Sequence, residues 1–129
     1  MKYLNKFGFI EKGFPYYGWL IAIHTVILRF AVNFNISLIF YGEDGEVEYG
    51  GSDLTKNNPF YDVDYERKIY LEDGYEKVLS KINANDNDLY FFKFPKEKET
   101  KNIKITHWSY FEPWDSYRNY LIAKEKCGL

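Results

Sequence analysis

Cysteine is nearly absent from this chain: Cys127 is the only one in 129 residues. A lone thiol closes no internal disulfide and offers no thiolate set for zinc, so the fold must rest on burial alone, and the composition suits a reducing, cytoplasmic setting. Histidine is almost as scarce. His24 and His107 are the only imidazoles, and neither stands near a serine or cysteine in a nucleophile elbow, so each is expected as a core or hydrogen-bonded histidine. The nine glycines form neither GxGxxG nor GxxxxGK[ST], which removes the phosphate cradles of nucleotide-binding folds. No motif calls for a cofactor, and none marks an enzyme.

Aromatic residues are abundant, with 13 Tyr, 11 Phe and 3 Trp making 21% of the chain. That content argues against disorder, and it puts many tyrosines at the surface, where the ring buries area with few rotors to freeze. A chain of this length fits one domain, residues 1–129, with a single core. Charge is unevenly spread. Residues 43–88 hold 13 acids against 5 bases, a net −8, while the segments on either side are each +3. An acidic middle repels nucleic-acid phosphates and steers a basic partner toward itself.

The clearest local pattern runs from Asn33 to Gly50. Phe34, Ile36, Leu38 and Phe40 alternate with Asn33, Asn35, Ser37, Ile39 and Tyr41, the period of a strand, and the first row is expected on the core. Asp44-Gly45 supplies a two-residue type I′ turn, after which Val47 and Tyr49 extend the row as the second arm of a hairpin. Upstream, residues 1–14 read as an edge strand or extended arm. Residues 18–31 read as a buried helix, with a strand as the competing reading and a membrane anchor over 19–41 as a third, the last opposed by His24, Arg29, Asn33 and Asn35. Downstream, the patterns predict strands over 65–71, 89–94 and 103–108. Helices are expected near 73–84, with Asp73 and Glu76 as a capping box, and near 113–126, with Trp114, Tyr117, Tyr120 and Leu121 turned inward. The expected class is α+β, a mainly antiparallel sheet of about five or six strands packed with two or three helices.

Asp62, Asp64 and Glu66 alternate, and on a strand they would line one face, where with His24 or His107 they would make a small metal-dependent hydrolase or nuclease. An exposed edge kept soluble by charge accounts for the same pattern. The Asn85–Asp88 run lacks the glycine and later glutamate of a calcium loop, and Trp108, Tyr110 and Trp114 fit a core corner better than a stacking site.

The ending Lys104-Ile105-Thr106-His107-Trp108, followed by a helix bearing Trp114, Asp115 and Tyr117, resembles the strand, tryptophan and terminal helix that close some immunity proteins of bacterial contact-dependent growth inhibition and related polymorphic toxin systems. The resemblance implies a protein that binds a cognate toxin domain, often a nuclease with a basic cleft, and blocks it. It transfers no site residue. By charge and expected exposure alone, the contact set is Glu43, Asp44, Glu46 and Glu48 on the hairpin, with Tyr61, Asp62, Asp64, Tyr65 and Glu66 beyond it. The partner expected is a basic protein, with no direct nucleic acid and no membrane.

Overall fold

The computed structural model describes residues 1–43, 58–71 and 75–128. Within them the protein is mainly helical, 57% helix and 8% strand, with six helices and one two-stranded parallel sheet. The expected antiparallel sheet of five or six strands is therefore overturned. In chain order the elements are α1 (Lys2–Lys12), α2 (Tyr17–Asn33), β1 (Leu38–Tyr41), α3 (Val63–Tyr65) running into a π-helical turn (Glu66–Tyr70), α4 (Tyr75–Ser80), a 3-10 turn (Tyr90–Phe92), α5 (Glu97–Thr100), β2 (Lys104–His107), a second 3-10 turn (Trp108–Tyr110) and α6 (Ser116–Cys127).

α2 is the spine, as the helical reading of 18–31 expected. It buries Leu20 and Ile21 in one cluster with Leu4, Leu71, Val78, Leu79 and Leu89, and Leu28 and Ala31 in a second with Ile39, Tyr61, Val63, Tyr70, Ile103 and Ile105. α2 has no side-chain cap of its own at Tyr16. Asn5 of α1 replaces it, its Oδ1 accepting from the backbone N–H groups of Gly18 at 2.9 Å and Trp19 at 3.2 Å. The helix stops at a left-handed Asn35 (φ 53), with Ile36 N–H donating to the Ala31 carbonyl and Asn35 N–H to that of Val32, the paired bonds of a Schellman ending. This ending takes residues 33–35 out of the expected strand. No helix of the described residues is long and apolar enough to cross a membrane, and α2 is packed on the protein's own core.

β1 pairs with β2 in parallel, Ile39 opposite Ile105 and Tyr41 opposite His107. Tyr61 adds a one-residue antiparallel bridge on the other side of Ile105, with reciprocal backbone bonds of 3.0 and 2.9 Å. The alternation in β1 is the reverse of the one expected: Ile39 and Tyr41 are buried, while Leu38 and Phe40 are exposed, as are Phe34 and Ile36 before them. Other strands gave way to helix or turn. Residues 1–14 form α1, Val63–Tyr70 is helical, and Tyr90–Phe92 is a 3-10 turn held to α2 by Arg29, whose guanidinium donates to the carbonyls of Tyr90 and Lys93 and stacks 3.8 Å over the Tyr90 ring. The 103–108 strand and the terminal helix are present, but α6 buries none of Trp114, Tyr117, Tyr120 or Leu121. The Asp44-Gly45 turn, the second hairpin arm and the Asp73 cap lie outside the described residues.

α1 and α2 meet at two glycines. A Cβ on Gly8 would stand 2.2 Å from Tyr17 Cβ, and one on Gly18 2.6 Å from Leu4 Cβ. Since both contacts fall at the rigid base of a side chain, the helices would have to separate. Gly8→Ala is expected to destabilise the fold by about 1–3 kcal/mol, whereas Gly42→Ala, with open space around it, should be near neutral. Thermal melting of the two variants beside the parent checks this.

Candidate functional site

Two arrangements stand out, one inside and one outside. Inside, between the two apolar clusters, six polar side chains converge from five places in the chain: His24 on α2, Tyr41 on β1, Tyr61 on the bridge, Glu66 and Tyr70 on the π-helical turn, and His107 on β2. All are buried, and Glu66 is 0% exposed. Asp62 caps this helix, accepting from Tyr65 N–H at 2.9 Å, and the wider π-helical turn sets Glu66 and Tyr70 both inward.

The Glu66 Oε1 lies 2.6 Å from His24 Nδ1 and accepts from the Tyr41 hydroxyl at 3.1 Å. The Tyr61 hydroxyl lies 2.6 Å from His107 Nε2, with Tyr70 Oη at 3.4 Å. Burial first, then the charge of neighbouring groups, pushes the Tyr61 hydroxyl far above the ordinary tyrosine value, so it keeps its proton. Burial also pushes His107 below the usual imidazole value, against an opposing pull from the Glu43 backbone and the carboxylates of Glu43 and Glu66. A protonated Tyr61 and a depressed His107 thus share one short hydrogen bond at Nε2. Rings tie the halves together: Tyr41 stacks on His107 with centroids 5.2 Å apart, and Tyr61 stacks on its far side at 5.7 Å. Buried beneath these elements, the groups act as a hydrogen-bonded clasp.

Outside, the reverse face of the same strands carries aromatic rings. Phe40, Trp108 and Phe111 are 48, 46 and 51% exposed, with Phe40 centred 5.8 Å from Trp108 and 5.9 Å from Phe111. Trp108 Nε1–H donates to Glu112, which in turn pairs with Arg118 at 2.6 Å, so the turn after β2 is braced to the start of α6. Exposed Leu38 and Ile36 continue the row. With Phe40 in ring contact with both Trp108 and Phe111, the three form one exposed aromatic cluster.

The contact set expected from charge does not stay together. Glu43 is partly exposed at the end of β1, while Asp44, Glu46 and Glu48 lie outside the described residues. Asp62 is exposed and occupied as a helix cap. Asp64 pairs with Lys68 and Arg67 at 2.6 Å each, which hold its carboxyl below the usual range. Tyr65 is half-buried against Tyr61 and Tyr70. Tyr61 and Glu66, expected on the surface, belong to the buried clasp. The strand that would have aligned Asp62, Asp64 and Glu66 is a helix, which turns successive alternate residues to different sides, and the described residues contain no group of three or more His, Cys, Asp or Glu able to hold a metal ion. The outer aromatics were missed because Phe40 was placed in the core row and Trp108 at a core corner. The signal for Phe40 is the Phe40-Tyr41 step, since adjacent residues of a half-covered strand point to opposite sides; Trp108 lies past the end of β2, where no strand pattern places it.

No protein-family model matches the chain, and no curated protein sequence matches it.

Removing one member of a buried hydrogen-bonded network leaves its partners unsatisfied in a low-dielectric site. Glu66→Ala is expected to cost about 1–3 kcal/mol of folding stability, and the loss in a His24→Leu/Glu66→Leu double variant should be smaller than the sum of the single losses, as urea titrations can measure. The sign for His107 also follows. Its folded pKa is depressed below the unfolded value of about 6.5, so its stabilising effect is complete above that pH and falls away as the pH drops toward the folded value. Denaturation midpoints from about pH 5 to 7.5 should rise more steeply with pH in the parent than in His107→Gln.

Proposed function

We propose that this protein is an immunity-type inhibitor, which acts in the cytoplasm by binding a cognate bacterial toxin domain, a nuclease in the favoured case, and occluding its active site or substrate groove. The observation that carries this reading is the ring surface that Phe40 of β1 makes with Trp108 and Phe111 in the chain after β2. Exposed, neighbouring aromatics braced on a rigid sheet supply area that desolvates on contact at little entropic cost, the profile of interface anchors. Trp108 is also the tryptophan in the segment that resembles the immunity-protein ending.

Charge supports the same partner. The acidic block of residues 43–88, net −8, starts at Glu43, two residues past β1, and its charge is complementary to a basic cleft; in the sequence its first carboxylates follow the strand that bears Phe40. Those carboxylates would speed and orient the encounter, and the rings would hold the complex. Enzymatic use of Asp62, Asp64 and Glu66 has no such support, because the three point to a helix cap, a surface ion pair and the interior.

The test is a binding titration against the product of the gene directly upstream, expressed as its C-terminal domain, scored together with rescue of growth. A one-to-one complex with rescue is expected. Trp108→Ala should weaken it by at least about 30-fold, the effect of losing an anchor worth about 2 kcal/mol, with the melting temperature little changed. Full binding and rescue by Trp108→Ala would move the interface elsewhere; absence of binding by the parent would remove the inhibitor reading.

A further inference from the structure

The opposite end of the molecule carries a second unusual surface. α1 buries only Leu4 and Gly8 against α2. At the helical period, the positions farthest from that seam are Lys2, Tyr3, Lys6, Phe9 and Ile10, and solvent-side positions of a surface helix are ordinarily polar. Here Tyr3, Phe9 and Ile10 are 75, 62 and 65% exposed. Lys2 and Lys6 stand among them and make no ion pair among the described residues. Beside this face a cleft of about 500 Å³ runs between α1 and the chain after α4, with Phe7, Ile10 and Ile82 on its apolar side and Lys6 and Lys81 as its charged groups. Lys81 lies across the Phe7 ring at 5.0 Å and 4.0 Å from Glu11.

We infer that the outer face of α1, with this cleft, docks on an anionic lipid surface. The charge is complementary: the outer face of α1 carries Lys2 and Lys6, Lys81 stands at the cleft, and Glu11 is the only acid in residues 1–42. The mixture separates lipid from protein as the occupant. Cores of protein interfaces are enriched in rings but depleted in lysine, whereas at a bilayer the rings enter the acyl boundary while lysines on the same face reach back to phosphates along their own flexible stems. On α1 the two types share one face, Lys6 standing one turn from both Tyr3 and Ile10 and Lys2 seven residues from Phe9. This is a peripheral contact, unlike the spanning anchor considered for residues 19–41, and it revises the expectation that no membrane is involved. It does not depend on the inhibitor reading, since its residues lie on α1 and the ring surface lies on β1 and the chain after β2.

The experiment is co-sedimentation of the full chain with vesicles of phosphatidylcholine alone or with about 30% phosphatidylglycerol, at low and high salt. Binding is expected for the anionic vesicles and should weaken with salt. Lys2→Gln/Lys6→Gln should lower partitioning about 25-fold, about 5-fold per lysine, and Phe9→Ser/Ile10→Ser should lower it at both salt concentrations. All four side chains are on the solvent side, and melting curves verify that the variants fold. Equal binding to both vesicle types, no binding, or indifference to the substitutions would overturn the inference. Retention on immobilised polyaspartate through Lys2 and Lys6, with no vesicle binding, would also overturn it and assign the face to an acidic macromolecule.

Discussion

The buried contact between His24 and Glu66 is the constraint on which the rest of the structure depends. It lies where the two apolar clusters meet, on the one helix that serves both. A carboxyl group with no exposure depends on its hydrogen-bond partners, because a polar group left unpaired in the interior is costly. Its partners come from α2 and β1, while Glu66 itself sits on the helix after Tyr61. Apolar contacts alone would tolerate alternative packings of so many similar rings. Directional bonds to one oxygen, 2.6 Å from the imidazole and 3.1 Å from the phenol, select one.

That selection explains how so small a sheet persists. Two strands of four residues are too little to be stable alone. β2 gains a second neighbour through the Tyr61 bridge, and the side chains leaving the buried face of all three pieces enter the same network, Tyr41 from β1, His107 from β2 and Tyr61 from the bridge. Backbone pairing and side-chain pairing therefore specify the same register. The π-helical turn contributes in the same way by placing both Glu66 and Tyr70 against the imidazoles.

Legibility in the sequence followed the range of the interactions involved. α2 and the 103–108 strand were readable because each carries its own apolar pattern, and His24 and His107 were readable as interior because nothing around them offered a nucleophile. Val63–Tyr70 was not. Its alternating acids look like an exposed strand, but Asp62 caps a helix and Glu66 is drawn inside by a histidine 42 positions away, a partner that no local pattern reveals. α1 misled through its lysines and aromatics, because the residues that pack it, Leu4 and Gly8, include a glycine whose importance is the close approach of Tyr17. Among the surface residues, Asp62 is exposed as expected and Glu43 and Asp64 only partly so, whereas the ring cluster had no local signal. The single Asn35 turn that ends α2 reset the parity of everything after it.

That parity joins the interior to the proposed interface. Side chains alternate along β1, so with Tyr41 inside, Phe40 lies outside, while β2 buries Ile105, Thr106 and His107 in succession and Trp108 turns outward in the 3-10 turn that follows. The parallel register sets Tyr41 opposite His107, where their rings stack, and the same register brings Phe40 and Trp108 within ring contact on the reverse face. A slip of one residue would carry phenylalanine into the polar network and tyrosine out of it, leaving Glu66 without the Tyr41 hydroxyl. The network thus fixes which rings are displayed, and the outer surface is rigid because its inner counterpart admits only one register. A binding face assembled in this way enters a complex already ordered, which lowers the entropic cost of association.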